Sequence, residues 1–170
     1  MPTSLASLNA CGRPTFTAEL GHLFEHSPWV AAETWPQHPF RDPAHLHAAL
    51  CATMCAAPRD RQLALIRAHP DLAGRMVQQG KLTAESTREQ ASAGLDRLTA
   101  AELAEFTRLN EAYQVRFGFP FIICARLNAK DAIFAAMQER IGHAPGDELA
   151  AALAEIEKIA WLRLQDLLKG

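Results

Sequence analysis

Three polar residues stand where a helical core would favour something else. His69 lies in the run "RAHPDLAGR", after the helical stretch "RQLALIRA" and before Pro70. Proline disfavours helix in the residue before it, so His69 falls at a break in the chain. Near neutral pH an imidazole both gives and takes a proton. At such a break it can point into a cleft, or it can interact with the last carbonyls of its own helix. Glu89 follows Ser86 at the spacing of a capping box. Its carboxylate either bonds back to the backbone of Ser86 or stands with a hydroxyl and free amides in a concavity that favours anions. Arg163 interrupts an apolar face traced by Leu149, Leu153, Ile156, Ala160 and Leu167. Arginine is almost never fully buried without a partner. It therefore snorkels to the rim or meets an anion inside a pocket, where a substrate carboxylate would suit its planar fork. Asp71, directly after Pro70, reads as the cap of a following short helix rather than a third acid, and Arg75 and Arg88 read as solvated surface charges.

The elements that must position these residues are helices. Ser27-Pro28 and Asp42-Pro43 each have the form of an N-cap followed by proline at the first helical position. After Asp42, the residues Leu46, Leu50 and Met54 share one helical face. A helix over about Arg59 to Arg67 stops before His69-Pro70. The stretch "LTAESTREQASAGL" is rich in helix formers and opens with two candidate caps, Thr83 and Ser86. "TAAELAEFTRLNEAYQVRFG" starts with the Thr99–Glu102 capping pattern and closes on Gly118 as a C-cap. Further helices are expected over Asn128 to Ile141, ended by Gly142, and from about Asp147 to Lys169. No segment alternates as a strand flanked by turn residues. The apolar run "FPFIICA" reads as a tight connector or a helix start. The expectation is one all-α domain over residues 1–170, a bundle of about seven or eight helices.

Composition narrows the function classes. A chain of 170 residues with 49% hydrophobic and 21% charged residues suits one soluble globular domain. Its longest apolar runs are far too short to span a bilayer. The formal charge is −2, with 17 basic residues spread along the chain. No basic stripe marks a nucleic-acid footprint, and a helix-turn-helix regulator is disfavoured. The start lacks the pattern of a secretory leader, and the closing "LLKG" is not the peroxisomal tripeptide, so a cytoplasmic location is expected. The four cysteines, Cys11, Cys51, Cys55 and Cys124, read as reduced thiols. His47, Cys51 and Cys55 share a helical face, but this set lacks a fourth ligand and the compact spacing of zinc motifs, so no metal is expected.

Five motifs occur in order along nearly the whole chain, from about Phe16 onward: "EHSPWVA", "HPDLAGR", "LTAESTREQASAGLD", "LNEAYQVRFGFPFIICAR" and "WLRLQDLL". Together they resemble the OHCU decarboxylase family, where OHCU is 2-oxo-4-hydroxy-4-carboxy-5-ureidoimidazoline. The resemblance implies a cofactor-free all-α lyase, a homodimer, that converts OHCU to (S)-allantoin and carbon dioxide in urate (purine) degradation. It matches His69 to a catalytic histidine, with Pro70 against the substrate. It matches Ser86, Thr87, Arg88, Glu89 and Gln90 to a substrate-binding segment, with Glu89 as the second catalytic residue. Phe121, Ile122, Ile123, Cys124 and Ala125 match a segment whose backbone holds the substrate ring, and Arg163 matches a C-terminal catalytic arginine.

The competing reading is a non-catalytic helical module that binds a purine-like ligand or a partner helix. It keeps the apolar stripes but does not require His69, Glu89 and Arg163.

Overall fold

Local signals account for most of the helices in the computed structural model, which describes residues 3–73 and 81–170. Among the described residues there are nine α-helices, two short 3₁₀ turns and no strand. The all-α expectation holds. Arg75, expected as a surface charge, and the short helix expected after Asp71 lie outside the described residues.

The chain divides into two compact units. The first comprises residues up to Ala68 together with Glu157–Gly170. It contains α1 (Leu5–Ala10), α2 (Arg13–Leu20), α3 (Trp29–Thr34), a 3₁₀ turn (Trp35–Gln37), α4 (Pro43–Ala56) and α5 (Arg59–Arg67). Asp42 caps α4 as its spacing predicts: its carboxylate accepts the His45 amide at 2.7 Å, with Pro43 at the first helical position. The Ser27-Pro28 expectation fails. Pro28 itself is the residue before α3, and the Ser27 hydroxyl donates instead to the Glu25 carbonyl at 2.8 Å. Helix α3 packs between α2 and α4, over a core that includes Phe16, Leu20, Val30, Leu46, Leu50 and Met54. Helices α1 and α3 have six residues each, too few to display a helical period, which is why the count exceeds the expected one.

The second unit runs from His69 to Ile156. It holds α6 (Ala84–Ser92), α7 (Ala100–Phe117), a 3₁₀ turn (Ala125–Leu127) and α8 (Lys130–Arg140). The last helix, α9 (Pro145–Lys169), begins here, and the division between the units falls within it. Thr99 caps α7 by accepting the Glu102 amide at 3.2 Å. Gly118 ends the helix at φ 77°, in the left-handed region where a side chain is disfavoured, and its N–H closes onto Gln114 at 2.8 Å. The chain can thus turn directly into Phe119 and the apolar connector. Helix α8 is shorter than expected, with Ala129 as its cap. Asn128 lies outside it because its side-chain amide donates to the Cys124 carbonyl at 2.9 Å. Helix α7 packs on α8, where Phe106 and Phe134 lie 3.9 Å apart between centroids, and α6 packs on the 125–127 turn.

Candidate active site

Helix α6 sorts the residues of "STREQ" by its own period. Thr83, not Ser86, is the cap: its hydroxyl accepts the Ser86 amide at 3.2 Å, and its carbonyl accepts the Thr87 amide at 2.9 Å. Ser86 to Gln90 therefore lie within the helix, which overturns both readings of Ser86 as a helix start, the capping box with Glu89 and the concavity of free amides. Ser86 and Gln90 are buried and Glu89 is half-buried, whereas Thr87 and Arg88 are exposed. Steps of three and four residues place Ser86, Glu89 and Gln90 on one face. Thr87 also donates its hydroxyl to the Thr83 carbonyl at 2.9 Å.

His69 is the first residue of the second unit and is 9% exposed. It follows the end of α5, whose last turn closes through the Ala68 amide. Two side chains fasten the loop that carries it. Asn110 of α7 donates from Nδ2 to the Leu72 carbonyl at 2.7 Å, and Gln90 of α6 accepts the Ala73 amide on Oε1 at 2.9 Å. Gln90 thus joins the loop bearing His69 to the helix bearing Glu89. Within the loop, burial pushes the Asp71 carboxyl above its ordinary value.

Phe121 to Ala125 are all buried, with exposures between 1% and 7%. Residues 121–124 are neither helix nor strand, so their backbone polar groups must be satisfied individually. The Ile122 carbonyl accepts Arg140 Nη1 at 2.7 Å, and the Cys124 amide reaches Glu155 Oε2 at 3.4 Å. The amides of Ile122 and Ile123 meet no acceptor among the described residues. Buried amides of that kind are rare in folded proteins and suit a ligand's oxygen. Burial pushes the Cys124 thiol up, the Leu127 amide opposes this, and negative charge on Glu155 and Glu89 adds to it. The Glu89 carboxylate is therefore within electrostatic reach of the 121–125 segment.

Arg163 belongs to the first unit and is 5% exposed, so it does not snorkel. The anion that it meets is Glu25, whose Oε1 accepts Nη2 at 2.9 Å, while Nη1 donates to the His22 carbonyl at 3.3 Å. In the same unit, His47 Nε2 lies 2.8 Å from the Glu157 carbonyl and 3.3 Å from Cys51 Sγ. Among the described residues no group of three His, Cys, Asp or Glu side chains could hold a metal ion. No helix among them is long and apolar enough to cross a membrane.

Sequence reasoning missed Glu25, Gln90 as a tie rather than a ligand, Asn110, and the Arg140–Glu148 pair behind Ile122. The only local signal was a polar residue recurring on an otherwise apolar helical face, as Asn110 and Arg140 do.

The profile of the OHCU decarboxylase family matches residues 9–165. A protein of Amia calva named 2-oxo-4-hydroxy-4-carboxy-5-ureidoimidazoline decarboxylase is 41% identical over 97% of this chain and 94% of its own length. One of the same name from Halalkalicoccus jeotgali is 42% identical over 96% of this chain and 91% of its own. Among solved structures, one described as (S)-allantoin synthase has a TM-score of 0.76 at 31% identity; the match covers 98% of this chain and 54% of that one. A second, of an OHCU decarboxylase in the presence of (S)-allantoin, has a TM-score of 0.72 at 24% identity and shares the fold over 94% of this chain and 100% of that one.

Proposed function

Because this chain belongs to the OHCU decarboxylase family, we propose that it decarboxylates OHCU to (S)-allantoin and carbon dioxide in urate degradation. The observation that carries this reading is the match to relatives of that name over more than nine-tenths of both lengths. The proposal covers residues 1–170 working as one enzyme domain, in a cytoplasmic homodimer.

The substrate supplies its own electron sink, so the reading requires no cofactor. Breaking the bond from C4 to the carboxylate sends its electron pair into a C4–C5 double bond and the imine pair onto the ring nitrogen, which takes up one proton. Loss of the C4 hydroxyl proton, with delivery of a proton to one face of C5, then converts the enol to the ketone and completes the reaction. The protein's tasks are to orient the carboxylate, stabilise developing charge and place that proton.

His69 is the acid or base in this proposal, handling the C4 hydroxyl proton or protonating the new carbanion. Its burial and the ties from Asn110 and Gln90 support such a role, because a proton-transfer group must be held in place. Glu89 orients and polarises the ureido and hydroxyl groups, with Pro70 against the ring. Ser86 and Gln90 line the inner face of α6, and the exposed Thr87 and Arg88 belong to the same substrate-binding segment. The amides of Ile122 and Ile123, within Phe121 to Ala125, stabilise an enolate-like oxygen as an oxyanion hole does. Arg163 anchors an anionic or carbonyl oxygen of the substrate.

The test is to add the protein to freshly generated OHCU and follow optical rotation together with the loss of substrate. The expected result is faster decay with a single enantiomer of allantoin. Racemic product formed at the spontaneous rate would overturn the proposal.

A further inference from the structure

Behind the 121–125 segment, within the second unit, lies a buried charged cluster. Glu148 has 0% exposure and Arg140 8%. Glu148 Oε1 accepts Arg140 Nε at 2.6 Å and also the Tyr113 hydroxyl, and His143 Nδ1 lies 3.1 Å from Oε2. Arg140 Nη1 donates to the Ile122 carbonyl at 2.7 Å, and its guanidinium sits 4.3 Å from the centroid of the Phe121 ring. Tyr113 meets the same ring edge-on at 5.3 Å. Two consecutive residues of the segment are thereby gripped, one through its backbone and one through its ring.

Stability alone is a weak reason for such a cluster. An ion pair taken out of water recovers its desolvation cost only with very good geometry, and well-packed apolar residues of similar volume often serve as well. What apolar residues cannot do is hold a carbonyl in a chosen direction. The Ile122 carbonyl shares one rigid, planar peptide with the Ile123 N–H, which points the opposite way. A charged donor on that carbonyl fixes the peptide plane, and it polarises the amide so that the N–H donates more strongly. That N–H meets no acceptor among the described residues.

We propose that Arg140, held by Glu148 and Tyr113, is a positioning residue that aims and polarises the Ile123 N–H for an oxygen of the bound substrate. The inference rests on the reading of 121–125 as a substrate-holding segment. Arg140 itself touches no reacting atom in this scheme.

Three measurements test it on wild type, on Arg140→Lys, and on the apolar replacement Tyr113→Phe/Arg140→Met/Glu148→Leu. They are the melting temperature, the kcat and KM for OHCU, and the amide resonance of Ile123 in the substrate-free protein. Lysine keeps the charge but loses the fork that serves Glu148 and Ile122 together. In Arg140→Lys, and in the apolar variant where it folds, kcat is expected to fall about 10- to 100-fold. KM should change little and the Ile123 resonance should move. The melting temperature should stay near that of wild type in the apolar variant and fall in Arg140→Lys, which leaves a buried acceptor unpaired. A folded variant with wild-type kcat, or an Ile123 resonance that stays in place, overturns the inference. Should wild type itself fail to accelerate OHCU decay, the decarboxylase reading falls, and the Ile123 resonance alone decides whether Arg140 sets that peptide.

Discussion

Arg163 and Glu25 form a buried ion pair at 2.9 Å, with side chains 4% and 2% exposed, although 138 residues separate them in the chain. Removing one partner strands the other charge away from water, at a cost of about 3–5 kcal/mol. Arg163→Met should therefore lower the melting temperature sharply. Arg163→Met/Glu25→Leu should recover most of the loss while turnover of OHCU stays low. Thermal melts and kinetics on the two variants check both halves, and full turnover in the double variant would remove Arg163 from the chemistry.

Replacing His69 should separate activity from folding. In His69→Asn the ring is lost while the ties to Leu72 and Ala73 remain. The expected outcome is a drop in turnover of about 10²–10⁴-fold with an essentially unchanged far-ultraviolet spectrum and melting curve. Wild-type turnover by this variant would contradict the assigned role.

The Gln90–Ala73 bond can be tested with a near-isosteric pair of substitutions. Gln90→Leu leaves the buried Ala73 amide without its acceptor, at a cost of about 1–3 kcal/mol. Gln90→Glu keeps an oxygen in the same place. Amide hydrogen exchange at Ala73 should accelerate in the first variant and stay close to wild type in the second. Equal protection in both would show that another group holds the loop.

Two thiols predict an alkaline loss of stability. Burial pushes Cys51 up to about 12, with the negative charge of Glu157 adding to it. Burial also pushes Cys55 up to about 11, assisted by its hydrogen bond to Glu157. A folded-state value above the ordinary 9.0 means that folding favours the neutral thiol. The resulting stabilisation is fully present below pH 9.0 and disappears as the pH rises through about 11 to 12. Denaturant melts across this range should show wild type losing stability more steeply than Cys51→Ala/Cys55→Ala. Parallel losses in the two proteins would contradict this.

Much of the fold was legible because its signals are local. Asp42 before Pro43 and Gly118 at the end of α7 act within one helical turn and do what their spacing predicts. Thr99 caps α7, but Glu102 pairs with Lys130 instead of closing the capping box. Ser27-Pro28 has the same pattern but is diverted by the carbonyl of Glu25. Ser86 yields its capping role to Thr83, because two candidate caps three residues apart cannot both begin one helix. For the candidate site, the chain break at His69 and the misplaced arginine were visible as residue types in unexpected positions.

By itself the sequence determined an all-helical chain, the break before Pro70, the family motifs, and which polar residues stand on apolar faces. Periodicity, capping and proline geometry depend only on neighbours a few residues away. Tertiary structure alone decided the partners: Glu25 for Arg163, Ala73 for Gln90, and Glu148, Tyr113 and Ile122 for Arg140. A buried charge or amide is satisfied by whichever group packing brings within about 3 Å, and no spacing along the chain encodes that meeting.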